Sequence, residues 1–184
     1  MKELSLNVLD IAQNSIDAGA DLIYIELTED ESGLLTLSIR DNGHGIEENA
    51  LGNVTDPFYT TRTIRKVGMG IPLLKLAAEQ AGGELTVVSK TRENDPVSHG
   101  TEVKATFRTD SIDFTPVGDM AATLCVLIQG HPDISYVFRH KTPELDVSLD
   151  TSEMREVLGE GISLGEPEIL EWIAGYLRQQ YNNE

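Results

Sequence analysis

A chain of 184 residues, 40% apolar and 24% charged, is long enough for one ordinary domain with a real core, or for a domain plus a small appendage. Its formal net charge of −17 excludes ordinary non-specific attachment to DNA, RNA or anionic lipid, because affinity for phosphate backbones comes from Lys and Arg; no nucleic-acid partner is expected. The one cysteine, Cys125, excludes a disulfide framework within the chain, and with no leader-like start and no run of about eighteen apolar residues the sequence reads as cytoplasmic and not membrane-inserted.

The first expected element is a helix from Glu3 to Ala18, stopped by Gly19. Asn7, Asp10, Asn14 and Asp17 recur at steps of three and four and share one face, opposite Val8, Leu9, Ile11, Ala12 and Ile16. Asn and Asp are poor helix formers, so a stripe of them suggests that their oxygens hold a ligand. Alternation then predicts strands over Leu22–Leu27 and Leu34–Ile39, joined by Glu31-Ser32-Gly33. The stretch from Gly45 to Gly68 has weak periodicity and is too long for an ordinary loop. A helix over Ile71–Gln80 and strands over Glu84–Ser89 and Glu102–Phe107 follow. From Asp110 the pattern starts afresh, with a helix from Gly118 to Gln129 and a hairpin of Ile134–Arg139 with Leu145–Leu149. Thr151 is read as the cap of a helix from Ser152 to Leu158, and Pro167–Tyr181 is the last helix. In that helix core packing is the favoured role of Ile169, Leu170, Ile173 and Leu177, with Trp172 and Tyr176 beside them, and a partner-docking surface is the alternative; partner specificity is expected in this C-terminal part. The hairpin either extends the sheet or makes a small lobe of its own.

Asp41-Asn42-Gly43-His44-Gly45 follows a strand, and no strand follows it to make a hairpin. Gly43 and Gly45 remove side chains that would collide with a flat ligand, and Asp41, an acceptor only, can take a hydrogen bond from an exocyclic amine. Adenine offers that amine; guanine presents a carbonyl there. Gly68-Met69-Gly70 opens a helix with Pro72 in its first turn, and the N–H groups and dipole at such a terminus favour an anion. Arg62, Arg65 and Lys66 cluster just before it. His99-Gly100-Thr101 leads into a strand and puts the Thr101 hydroxyl where it can support Asp41.

Taken together, residues of about 4–108 resemble the Bergerat-fold ATP-binding domain of the GHKL superfamily, shared by gyrase B, a heat-shock chaperone, histidine kinases and MutL. Asp10 to Ala20, with Asn14, matches the N box. Asp41 to Gly45 and Gly68 to Gly70 match the first and second glycine boxes, and Gly100-Thr101 the final one. Asp56-Pro57-Phe58-Tyr59-Thr60-Thr61-Arg62 is similar to the lid box of histidine kinases. The resemblance implies an α+β fold: a two-layer sandwich with helices on one face of a mixed, mostly antiparallel sheet in residues 1–109, followed by a C-terminal α/β extension in residues 110–184. It also implies ATP and Mg²⁺ as ligands. Asn14 would hold Mg²⁺ and Asp41 would read adenine, helped by Thr101. Asp17, Gly43, Gly45, Ile46, Thr60, Thr61, Arg62, Lys66, Gly68, Met69 and Gly70 would complete the nucleotide site. Where ATP-hydrolysing relatives carry a general-base Glu, four positions before the N-box Asn, this chain has Asp10. Misplacement of a base by about 1 Å costs roughly a hundredfold in rate.

The leading expectation is therefore transfer of the γ-phosphate to a separate, unidentified partner protein. No histidine of this chain suits a phosphoacceptor role: His44 and His99 lie in loops, His131 precedes Pro132, and His140 ends a strand. The alternatives are a slow ATPase switch that depends on Asp10 and a non-catalytic nucleotide sensor. Lys141 is a distant candidate for a phosphate-sensing lysine.

Overall fold

The computed structural model describes residues 3–56, 69–159 and 161–182. Its elements run in the order α1 (Leu4–Asp17), β1 (Leu22–Glu29), β2 (Leu34–Asp41), α2 (Glu48–Leu51), α3 (Gly70–Gln80), β3 (Leu85–Lys90), β4 (Gly100–Arg108), α4 (Met120–Gly130), β5 (Ser135–Lys141), β6 (Asp146–Asp150), α5 (Thr151–Leu158) and α6 (Pro167–Tyr181). The strands form one sheet in the order β3-β4-β2-β1-β5-β6. All pairs are antiparallel except β1 with β5. The expected mixed, mostly antiparallel sheet is therefore present. The hairpin left open by the sequence extends it.

Strand alternation sets the layers. Val87, Val103, Ile39, Ile25, Phe138 and Leu149 stand in register across all six strands, and each belongs to or packs against the core. A one-residue slip in any strand would turn its whole apolar set to solvent, so this row fixes the pairing. Helices α1, α3 and α4 contribute Val8, Ile11, Leu74, Leu124 and Ile128 to the same core, and α6 adds Ile173 and Leu177. The opposite sheet face carries Glu26, Ser38, Arg40, Glu102 and Arg139, with the Arg40 guanidinium 4.4 Å from the centre of the Tyr24 ring.

Helix α1 starts without a side-chain cap. Its first N–H groups are satisfied by the chain that precedes α4: Leu4 N–H donates to Pro116 O at 2.9 Å and Ser5 N–H to Val117 O at 2.8 Å. Gly19, at φ +73°, closes the far end. Two local expectations change. The four-residue α2 lies in the segment that lacked periodicity. The cap of α5 is Asp150, whose carboxylate accepts from Ser152 N–H and Glu153 N–H, and not Thr151. Thr151 is instead fully buried and accepts the Tyr136 N–H through its hydroxyl at 2.8 Å.

Asn7 departs from its stripe. It is 1% exposed, and among the described residues neither its Oδ1 nor its Nδ2 has a hydrogen-bond partner. A buried polar group left unpaired costs about 1–3 kcal/mol. Asn7→Leu is therefore expected to raise the unfolding free energy by about 1–3 kcal/mol, read as a higher urea midpoint at unchanged slope.

His140 is 7% exposed, with its Nδ1 3.0 Å from the Tyr181 hydroxyl. Burial holds its pKa below the ordinary imidazole value, and Glu29 opposes that only in part. The unfolded chain therefore binds this proton more readily than the folded one. Stability is full above the ordinary value of 6.5 and falls as pH drops through it toward the lower folded value. Wild type should lose more stability than His140→Phe between about pH 7.5 and 5.5, measured as the shift in urea midpoint.

Candidate functional site

Asp41, the last residue of β2, is 9% exposed and collects donors from three directions. The Ser15 hydroxyl of α1 donates to Oδ2 at 2.6 Å, while the backbone N–H groups of Gly43 and Thr101 donate to Oδ1 at 2.9 and 3.2 Å. A carboxylate offers about four acceptor positions; with three used, the remaining one lies on Oδ2. The carboxylate is thus oriented before any ligand arrives.

The loop after Asp41 is fixed by its backbone and by short polar side chains. Asn42 Oδ1 accepts from Asp21 N–H and Leu22 N–H at 3.0 and 3.1 Å. His44 N–H donates to Ala18 O at 2.9 Å, and His99 Nδ1 lies 2.7 Å from Gly43 O. Ile46, half-buried, donates its N–H to Ser89 Oγ at 2.7 Å. The glycines serve close packing of protein on protein. At Gly45, φ +79°, a Cβ would overlap the Lys90 carbonyl, and at Gly100, φ +128°, it would overlap the Asp41 carbonyl. A Cβ on Gly43 would lie 2.8 Å from that of Ala18. The loop therefore sits hard against α1 and the β3–β4 end, a reason for glycine distinct from clearance for a flat ligand.

Thr101 meets Asp41 through its N–H. Its Oγ1 lies 2.9 Å from Ser89 Oγ, which also donates to Gly100 O at 3.0 Å. Ser15, Ser89 and His99 are thus the residues that sequence reading missed. The signal for Ser15 was a hydroxyl one turn after Ile11 on the apolar face of α1. Ser89 and His99 gave none, since serine near a strand end and histidine in a turn are unremarkable in sequence.

The start of α3 comes against α1. A Cβ on Gly70 would lie 3.0 Å from that of Asp10. Asp10 remains exposed as a residue, yet partial desolvation of its carboxyl raises its pKa above the ordinary carboxylate value. Asn14 is half-buried one turn further along, and Asp17 is exposed, its Oδ1 accepting from Gln13 Nε2 at 3.1 Å. Met69 occupies the N-cap of α3 and is 45% exposed. Asp10, Asn14, Asp41, Gly43, Gly45, Ile46, Gly70 and Thr101 therefore gather around α1 and one sheet end. Thr60, Thr61, Arg62, Lys66 and Gly68 lie outside the described residues. Lys141 stands at the other end of the sheet: it pairs with Thr28 of β1, whereas Asp41 pairs with Ile23, about 17 Å away along the strand.

Residues 2–111 match the family model described as histidine kinase-, DNA gyrase B-, and HSP90-like ATPase. The C4-dicarboxylate transport sensor protein DctB of Pseudomonas aeruginosa is 33% identical over 82 residues, covering 41% of this chain and 13% of that protein. The DNA mismatch repair protein MutL of Listeria monocytogenes is 27% identical over 197 residues, covering 88% of this chain and 32% of that protein. The chain thus spans less than a third of the length of these relatives. The Aquifex aeolicus MutL ATPase domain, solved in complex with ADP, shares the fold at TM-score 0.53 and 14% identity, over 86% of this chain and 68% of that one. Among the described residues no helix is long and apolar enough to cross a membrane.

Proposed function

This chain belongs to the histidine kinase-, DNA gyrase B- and HSP90-like ATPase family, and on that premise we propose that it binds ATP between α1, the 41–46 loop and the start of α3, and works as an ATP-driven conformational switch. The observation that carries the nucleotide reading is Asp41. Its last acceptor position is on Oδ2 of a carboxylate held in place from three sides, which suits an adenine amine and repels the guanine carbonyl. Phosphates would then lie toward Gly70, where the N-terminal N–H groups and dipole of α3 favour negative charge. The donor set fits Mg²⁺: Asn14, one helical turn beyond Asp10 on α1, would offer a hard amide oxygen to an ion that keeps several of its waters. When bound, it would neutralise phosphate charge.

Hydrolysis needs a base beside the phosphate end. Asp10 faces Gly70, and partial burial raises its pKa, which makes its carboxylate a stronger proton acceptor. Two features favour a switch. Helix α1 is bonded through Leu4 and Ser5 to the chain leading into α4, so a shift of α1 on binding reaches the C-terminal part directly. The MutL likeness also runs through 88% of the chain, whereas that to the sensor protein covers 41%. Transfer of phosphate to a partner protein is the second reading, supported by the higher identity, 33%, over the nucleotide segment of DctB.

A single-turnover incubation with γ-labelled MgATP, resolving intact ATP, free phosphate and labelled protein, separates them. Slow phosphate release that disappears in Asn14→Ala supports the switch. Bound ATP that stays intact until a partner takes the label supports transfer, and absence of binding removes both.

A further inference from the structure

Trp172 and Tyr176 were expected beside the core, and they are not in it. They stack at 5.2 Å with ring planes 7° apart and remain 56% and 39% exposed. With Ile169 they give α6 a second apolar stripe at i, i+3 and i+7, separate from the Ile173 and Leu177 stripe that enters the core. Met154, Val157 and Leu158 of α5, at i, i+3 and i+4, line the same groove, and Val157 is 86% exposed. The groove has a volume of about 710 Å³ and runs beside the β5–β6 hairpin. Ile169, Met154 and Leu158 also pack against the core, whereas Val157, Trp172 and Tyr176 stand exposed.

We propose that this groove docks an amphipathic helix with cationic flanks, supplied by a different protein. Strand addition to the neighbouring edge of β6 is obstructed: the Gln180 side chain donates to Ser148 O and accepts from Ser148 N–H, both at 3.0 Å, occupying the edge. A helix read by its side chains fits the two apolar helical stripes instead. Its charge follows from the lining. Asp150, Glu153 and Glu168 line the groove among the described residues, while Arg139 is held by both Asp146 oxygens at 2.7 and 3.0 Å. A second copy of this chain would bring a net charge of −17 against those acids, which disfavours self-association through this face. The inference is independent of what happens to ATP.

Trp172 is the chain's sole tryptophan and reports occupancy directly. The test titrates the 184-residue chain with a Leu/Lys amphipathic peptide of roughly 18 residues and with its Leu/Glu counterpart, reading Trp172 emission and acrylamide quenching. The Leu/Lys peptide should shift emission to the blue and protect Trp172. Val157→Lys should weaken this by about tenfold or more, while Ile112→Lys, the same charge change at a 99% exposed position outside the groove, should leave it within about twofold. Circular dichroism verifies that both variants fold. The proposal is overturned by no change in emission, by equal binding of the Leu/Glu peptide, or by equal weakening in Ile112→Lys. It is also overturned if protein concentration alone shifts Trp172 to the blue and Val157→Lys abolishes that shift, since a second copy then covers the groove.

Discussion

Asp41→Asn is expected to fold and to lose ATP binding by about 3 kcal/mol, roughly two orders of magnitude in Kd, measured by calorimetric titration. The amide is nearly isosteric with the carboxylate. Its oxygen can still accept the Gly43 and Thr101 N–H groups, and its NH₂ can donate to the Ser15 hydroxyl in place of the bond Ser15 now makes. The fold therefore keeps its three contacts in altered form, and stability should fall by no more than about 1–2 kcal/mol. For a ligand the exchange is severe. The free position on Oδ2 becomes a donor facing the adenine amine, so an attraction is replaced by two opposed N–H groups. A Kd within threefold of wild type would mean that Asp41 is a structural clamp for the 41–46 loop and that adenine is read elsewhere.

Asp10→Asn is expected to leave ATP affinity within about threefold and to slow phosphate release by a factor of about 100 or more, the ordinary contribution of a general base. The substitution keeps size but removes the proton acceptor. Because burial raises the Asp10 pKa, the wild-type rate should also fall on acidification before any effect set by ordinary carboxylates, and that early limb should be missing from the residual activity of the variant. Equal turnover in the two proteins would remove Asp10 from the chemistry and favour transfer to a partner.

Much of this fold is legible because alternation and burial coincide. Ile23, Ile25 and Leu27 alternate with Tyr24 and Glu26, and the first set alone lines the core. Asp41, Gly45 and Gly100 are legible as a constellation because backbone segments that touch tolerate few other residue types. The partners of these residues are harder to see. Ser15 is a small hydroxyl on an otherwise apolar face, and only the strand end across from it gives the hydroxyl a purpose. Asn7 shares the spacing of Asp10 and Asn14, yet spacing carries no information on which positions of α1 the rest of the fold covers, and Asn7 is buried. Trp172 misleads for the opposite reason. Large aromatics contribute most when buried, so hydropathy alone assigns one to the core whenever a helical stripe lies beside it.

The parallel pairing of β1 with β5 has a consequence in time. β2, on one side of β1, follows after a short turn, whereas β5, on the other, arrives about a hundred residues later in the chain. At a synthesis rate of about 5–20 residues per second, one edge of the central strand waits roughly 5–20 s for its neighbour. During that interval the row of Ile23, Ile25 and Leu27 borders an open template for other chains. A chain released before Ser135 would carry Asp10, Asn14, Asp41 and Gly70 and still lack the strand that closes β1.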